Sequence, residues 1–398
     1  MSTKEEFIRK VLEIGCDVSN TDTIIFYSDG EMDDEVYPIL MRLKEEYGIK
    51  NFFTYIRSDK EIYEFLKTNP SESDMRNFID KKIRIKNRRR AKILFNYTTD
   101  YENYIDKIKC EFADSYNLLV NLDMELNSEF WDLYEEENRV VITCFPSFLW
   151  AEHLLGSKDK LDELWELVNR TALTSRDNRI YLSRIKEIRS YLNKTKIKNL
   201  RFYSSLGTDF QIGLLDCCHW VSVPEIINGK EYYPNFPSYE LFTSPDCYST
   251  EGRIVLSRPL TFFGNSVQKG DFLFKKGKCI KAQTDCEYLE RLIRNRKNGL
   301  DRIGEIALVT CDSPIACLNR NFDALLYDEN AGCHFALGDA VIDAINIKDL
   351  PEESYKQFNL NHSTWHYDFV FGDPTTQVEG TRSDGKKLLI LENGKWKI

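Results

Sequence analysis

Histidine is scarce in this chain, with five in 398 residues, and the short motifs that usually announce an enzyme's chemistry are missing. No GxGxxG or phosphate-loop run follows a strand-like segment, so the βαβ patterning carries no evidence for nucleotide binding. GxSxG and HExxH are absent too, which disfavours a serine hydrolase and a helix-borne zinc protease. The 11 cysteines include the neighbours Cys217 and Cys218 but no CxxC pairs at zinc spacing. Reduced thiols in a cytosol are therefore the expected state. The stretch Met1-Ser2-Thr3-Lys4-Glu5-Glu6 has no signal-peptide pattern. No apolar run approaches the ~20 residues that cross a bilayer, since the best, Val140 to Ala151, is broken by Pro146. A net charge of -10 argues against a general nucleic-acid binder, and the basic stretch 81–90 reads as a solvated helix face.

What is present suits a folded enzyme-sized protein. With 42% hydrophobic and 13% aromatic residues, a chain of this length fills real cores and suggests two domains. The expected organisation is an α/β domain over 1–196, followed by a mixed α+β domain over 197–398 that carries the site. In the first part, Thr23 to Tyr27 and Asn51 to Ile56 read as strands around an amphipathic helix from Glu35 to Tyr47, a βαβ pattern. Further strands are expected at Ala91 to Asn96, Asn117 to Asn121 and Arg139 to Cys144, with helices at Lys160 to Ala172 and Asn178 to Asn193. The second part has hairpin signals at Lys276-Gly277, Asp384-Gly385 and Asn393-Gly394. Strands are expected at Arg253 to Leu256, Asp271 to Lys275, Glu305 to Thr310 and Trp365 to Phe371, and a helix at Cys286 to Arg294.

Two of the few histidines, His334 and His366, lie in apolar segments where an idle imidazole is costly. In a strand, residues two apart share a face, so in His366-Tyr367-Asp368 the imidazole and carboxylate can reach one site. An isolated triplet of this kind is more often a structural His–Asp pair. With Glu240, Glu305 and His334 in similar runs, the total is three carboxylates and two imidazoles, a donor set that suits two divalent ions.

These segments together resemble the thermophilic-aminopeptidase family of metallopeptidases, the aminopeptidase T, aminopeptidase S and PepS group. The resemblance rests on Pro146, Trp150-Ala151, Leu192-Asn193 and Gly207-Thr208-Asp209-Phe210, and on Asn235-Phe236-Pro237-Ser238-Tyr239-Glu240-Leu241-Phe242-Thr243, which is similar to the family's Asn-x-Pro-x-x-Glu-Val-Phe-Thr. Gly304-Glu305-Ile306-Ala307, Asp312-Ser313-Pro314, Asp328 through His334 and Asn361 through Phe369 follow in family order. It implies a cytosolic aminopeptidase acting on small peptides or aminoacyl amides, with two zinc, cobalt or manganese ions at Glu240, Glu305, His334, His366 and Asp368. Glu305 is the carboxylate assigned to bridge them. Two-metal logic then has one ion polarise the scissile carbonyl while a shared water attacks, and a carboxylate passes its proton to the leaving amine. A homodimer enclosing the sites is a further implication; a nucleic-acid or membrane partner is not expected.

One position departs from the family pattern. Seven residues after the first site histidine the family has an active-site Tyr, where this chain has Val341. Losing a hydrogen bond to developing charge costs ~100-fold or more in rate, so a second reading stands: a metal-binding homologue without hydrolysis, or with altered chemistry, that binds peptides or a partner. Tyr239 and Tyr367 flank site residues and could restore a phenol, although strand alternation makes both packing aromatics. His219 is a candidate channel residue and equally a structural one. His153 and His362 show no pattern, and Asp209 reads as a turn or cap.

Overall fold

Thr23-Ile24-Ile25-Phe26-Tyr27 has no polar alternation, the pattern of a strand covered on both faces. In the computed structural model, Thr23–Ser28 is buried throughout and lies inside a five-stranded sheet. The structure describes residues 2–28, 30–56, 58–79, 91–98, 102, 104–126, 140–172, 176–227, 230–262, 265–295, 299–347, 350–363 and 365–398. The basic stretch 81–90 lies outside the described residues.

The sheet runs in the order Asn51–Ile56, Thr23–Ser28, Ala91–Asn96, Val140–Thr143, Asn235–Phe236, with every neighbouring pair parallel. After its second strand the chain crosses back over the first to build the third, so the connections diverge between Thr23–Ser28 and Ala91–Asn96. The helix Val36–Glu46 buries Val36, Ile39, Leu40 and Leu43 as one stripe and is followed by Gly48 at φ 66°. The expected strand at Asn117 to Asn121 is instead part of the helix Ala113–Leu126. Leu119 and Leu122, three apart, are both buried with Ile62, Leu66 and Met75, a helical spacing that a short apolar run conceals.

By internal packing the chain forms two units, Met1–Ala172 with Pro224–Pro237, and Leu173–Val223 with Ser238–Ile398. The sequence reading places one boundary near residue 196. The helix Arg176–Thr195 falls in the second unit because Ile185, Ile188 and Leu192 enter the core that holds Leu200 and Phe202. Residues 224–237 return to the first unit, where Asn235–Phe236 extends the parallel sheet and Phe236 meets Phe7 edge-on at 5.7 Å.

Among the described residues the second unit contains a two-stranded sheet, Leu260–Phe262 with Asn265–Val267, and two large antiparallel sheets. One has eight strands and includes Ile197–Tyr203, Asp209–Gly213, Glu251–Val255 and Gly270–Lys275. The other has four, in the order Leu241–Thr243, Ile303–Leu308, His334–Gly338, His366–Val370. The expected hairpins close at Lys276-Gly277 and Asn393-Gly394, each with both residues at positive φ, the requirement of a two-residue hairpin turn. Phenylalanines from both sheets interlock: Phe272 contacts Phe335 at 5.7 Å, and Phe335 stacks on Phe369 at 5.5 Å. That contact consumes one face of the four-stranded sheet, and the other face carries the site.

Candidate metal centre

Strand alternation decides which side chains reach the site face. Ile306, Phe335, Leu337, Tyr367 and Phe369 point into the core, so Glu305, His334, His366 and Asp368 point the other way. The register sets Ala336 opposite both Glu305 and Asp368, and Ala307 opposite His334. Small side chains at these positions leave space in front of the sheet. Gly304 and Gly338 let three chain segments approach: a Cβ on Gly304 would lie 2.1 Å from the Asp339 carbonyl oxygen, and one on Gly338 1.9 Å from that of Trp365. Gly338 also sits at φ 113°, a conformation that favours glycine.

The five candidate residues converge into two groups, Glu240 with Glu305 and His334, and Glu305 with His366 and Asp368, the donor atoms of each lying within 4.8 Å of one another. Glu305 belongs to both. His334 Nε2 lies 3.1 Å from Glu240 Oε2 and 3.8 Å from Glu305 Oε1. His366 Nε2 lies 3.1 Å from Glu305 Oε2 and 3.7 Å from Asp368 Oδ1. One oxygen of Glu305 thus faces each imidazole, the arrangement a bridging carboxylate requires.

The imidazoles are oriented from behind. His334 Nδ1 is 3.3 Å from the Gly332 carbonyl, and His366 Nδ1 is 3.0 Å from that of Asp339. Donation of Nδ1–H to these carbonyls leaves Nε2 facing the carboxylates, a support of the kind that metal-bound histidines have. Ser238 Oγ donates to Glu240 Oε1 at 3.2 Å. Ser238→Ala is expected to weaken divalent-ion affinity ~10- to 100-fold, the effect of losing an outer hydrogen bond; an unchanged Kd in a metal titration would remove Ser238 from this role.

Protonation records how much charge is packed here. Burial pushes the Glu305 carboxyl up, but the His334 and His366 imidazoles beside it outweigh that and bring its pKa down to about 2. Burial opposes charge on His334 as well, yet the carboxylates around it and around the solvent-exposed His366 raise both well above the ordinary value. Burial raises Glu240, against the pull of His334. Raised imidazole pKa values mean that both rings hold protons at neutral pH in the metal-free protein, and a cation must displace them. Metal loading at pH 7 is therefore expected to release protons, read from calorimetric titrations in buffers of different ionisation enthalpy; equal heats in all buffers would contradict it.

Sequence reasoning missed Glu329. It is buried, and its pKa is raised well above the ordinary value by burial and by the charges of Glu240 and Asp368, so it belongs to the same cluster. Asn330 braces this corner: its Oδ1 accepts the Tyr239 N–H at 2.5 Å, and its Nδ2 donates to the Leu326 carbonyl at 3.1 Å. The available signal was Asp328-Glu329-Asn330 set between Leu325-Leu326-Tyr327 and Ala331, a costly place for carboxyls without partners.

The remaining candidates lie elsewhere. Tyr239 packs edge-on against Tyr181 at 5.8 Å. Tyr367 enters the core and donates its hydroxyl to the Thr261 carbonyl, so it supplies no phenol to the site face. His219 donates its backbone N–H to Ala344, Asp209 pairs with Arg201 at 3.2 Å, and His362 lies 3.4 Å from Asp339.

The cluster fits divalent cations on its own chemistry. Asp368 Oδ1 is buried without a hydrogen-bond partner, and hard oxygen donors beside imidazole nitrogens suit zinc-like ions. Among the described residues, no helix is long and apolar enough to cross a membrane.

Comparison with known proteins agrees with this chemistry. Aminopeptidase 2 of Geobacillus stearothermophilus is 32% identical over 263 residues, and aminopeptidase PepS of Streptococcus thermophilus is 30% identical over 262. Each alignment covers 63% of this chain and 63% of the relative, so the matched stretch spans less than two thirds of either. The solved structure of wild-type AmpT from Thermus thermophilus superposes with a TM-score of 0.81 at 21% identity, covering 100% of this chain and 99% of that one, which establishes a shared fold. The sequence profile of the thermophilic metalloprotease (M29) family matches residues 127–396, and the chain belongs to that family.

Proposed function

We propose that this protein is a metal-dependent aminopeptidase that removes the N-terminal residue from small peptides or aminoacyl amides. The observation that carries the reading is the pair of donor groups sharing Glu305, in which Glu240, Glu305, His334 and Asp368 are buried and His366 is open to solvent. Glu240, Glu305 and His334 would hold one ion, and Glu305, His366 and Asp368 a second, with Glu329 as an additional donor beside Glu240 and Asp368. Zinc, cobalt or manganese bound there supplies Lewis acidity and a water acidic enough to attack at neutral pH.

The chain's own residues do the rest. Gly332 and Asp339 carbonyls fix the two imidazoles, so little reorganisation is needed when substrate arrives. Burial of Glu240, Glu305 and Asp368 keeps bulk water from screening the cluster. Glu305, standing between the two groups, is assigned to take a proton from the attacking water and pass it to the leaving amine as the bond to that amine breaks. A cytosolic homodimer is part of the proposal, carried by the family resemblance.

The direct test is release of free amino acid from a panel of short peptides and aminoacyl amides, by protein stripped of metal and reloaded with each ion. Metal-dependent turnover is the expected result. Tight metal binding without turnover on any substrate would favour the non-hydrolytic reading, for which Val341 is the specific observation. Val341 is anchored by its backbone, whose N–H donates to Ser244 Oγ at 2.8 Å. Val341→Tyr is expected to raise kcat/KM by up to ~100-fold if a phenol supports developing charge there; an unchanged rate would show that this position is not limiting.

A further inference from the structure

A cavity of about 360 Å³ opens in the first unit, at the carboxyl ends of its parallel strands. Its lining comes from the residues that follow four successive strands: Gly30 after Thr23–Ser28, Ser58 after Asn51–Ile56, Thr98 after Ala91–Asn96, and Cys144 after Val140–Thr143. The two central strands, Thr23–Ser28 and Ala91–Asn96, are those between which the connections diverge. In open α/β sheets this is where ligands bind, because the diverging loops leave a crevice. None of these residues belongs to the metal centre.

The crevice has a fixed floor. Asn96 Nδ2 donates to Ser28 Oγ at 2.9 Å, and Asn96 Oδ1 accepts the Phe145 N–H at 2.7 Å. These buried bonds tie three strand ends together. Gly30 packs closely beside them: a Cβ there would lie 2.1 Å from Thr98 Oγ1, which would have to turn away. Phe145 and Trp150 make the floor apolar and are buried.

The rim carries both signs of charge. Glu31 and Glu102 line it and interact electrostatically, Lys158 lines it too and partly offsets the charge at Glu31, and Glu31 accepts the Leu149 N–H at 3.3 Å. Ser58, Asp59 and Lys60 line it where the helix Asp59–Leu66 begins. The positive dipole end of that helix and the Lys60 ammonium supply positive charge on this side. Three carboxylates on the rim and no glycine-rich loop disfavour a phosphate.

We propose that this crevice binds a small zwitterion of amino-acid or dipeptide size, its ammonium at Glu31 and Glu102, its carboxylate at the Ser58–Lys60 turn, and its side chain on Phe145 and Trp150. The volume lies within the ~300–1,000 Å³ range of small-molecule sites. The site is separate from the proposed hydrolysis and stands without it.

The test is calorimetric titration of the full chain, stripped of metal, with L-leucine and with leucyl-leucine, which separates a free amino acid from a peptide as the source. N-acetyl-leucine is the probe lacking the ammonium. At least one zwitterion is expected to bind saturably, with Kd weakened 10-fold or more by Glu31→Gln with Glu102→Gln, weakened similarly for N-acetyl-leucine, and unchanged by Glu305→Gln. Glu31 and Glu102 are solvent-open and a carboxamide oxygen still accepts the Leu149 N–H, so the double variant keeps the fold, checked by its melting curve. No saturable binding of either zwitterion, equal binding of N-acetyl-leucine, or binding lost with Glu305→Gln would each overturn the proposal, the last assigning the ligand to the metal centre.

Discussion

Glu305→Gln is expected to lower kcat/KM by on the order of 10³-fold or more, as for groups that act as a unit in catalysis, and to reduce the bound metal below that of the unmodified protein. The substitution keeps the shape and removes the charge. A carboxamide has one acceptor oxygen, whereas Glu305 presents Oε1 to His334 and Oε2 to His366. The substituted side chain could serve one donor group and would turn an N–H toward the other. Steady-state kinetics alongside elemental analysis of dialysed protein measures both effects. Full turnover with unchanged metal content would show that the two donor groups do not depend on a shared carboxylate, and the assignment of Glu305 would fall.

Chelation should have the second large effect, on stability. Glu240, Glu305, Asp368 and Glu329 are buried together, and burial with the charge of neighbouring carboxylates raises the pKa values of Glu240 and Glu329. A cation that binds the native state alone stabilises it by about 4 kcal/mol at a free concentration 1,000 times its Kd. For a domain of this size that corresponds to a Tm higher by roughly 10 °C. Scanning calorimetry at pH 7 with excess zinc and with chelator makes the comparison. The increment should shrink as the pH falls, because His334 and His366 then hold more firmly the protons that metal must displace. Identical melting curves with and without metal would mean that the cluster binds no ion tightly.

Much of the site was legible because strand geometry is local. His366 and Asp368 are two residues apart, so a strand puts them on one face and Tyr367 on the other, as the structure has it. The five-residue cluster followed from combining such segments. Glu329 escaped because it sits in a short helical turn, Glu329–Ala331, where no simple period says which way a side chain points. The run Asn117 to Asn121 was misread because a few apolar residues satisfy a strand and a buried helix equally well. A single boundary near 196 could not accommodate a segment, 224–237, that leaves the second unit and returns to the first sheet.

By itself the sequence determined which residues are available as donors, the alternation of faces along each strand, the turn residues at Asn393-Gly394 and the affinity of residues 127–396 for the M29 family. Those are properties of composition, of neighbours in the chain, and of an ordered set of short motifs. Tertiary structure decided that the two oxygens of Glu305 face different imidazoles, that Glu329 joins the cluster, that Asp339 orients His366, and that four loops enclose a crevice in the first unit. Each joins groups from distant parts of the chain, and their distances are set by sheet register and packing, which no local pattern encodes.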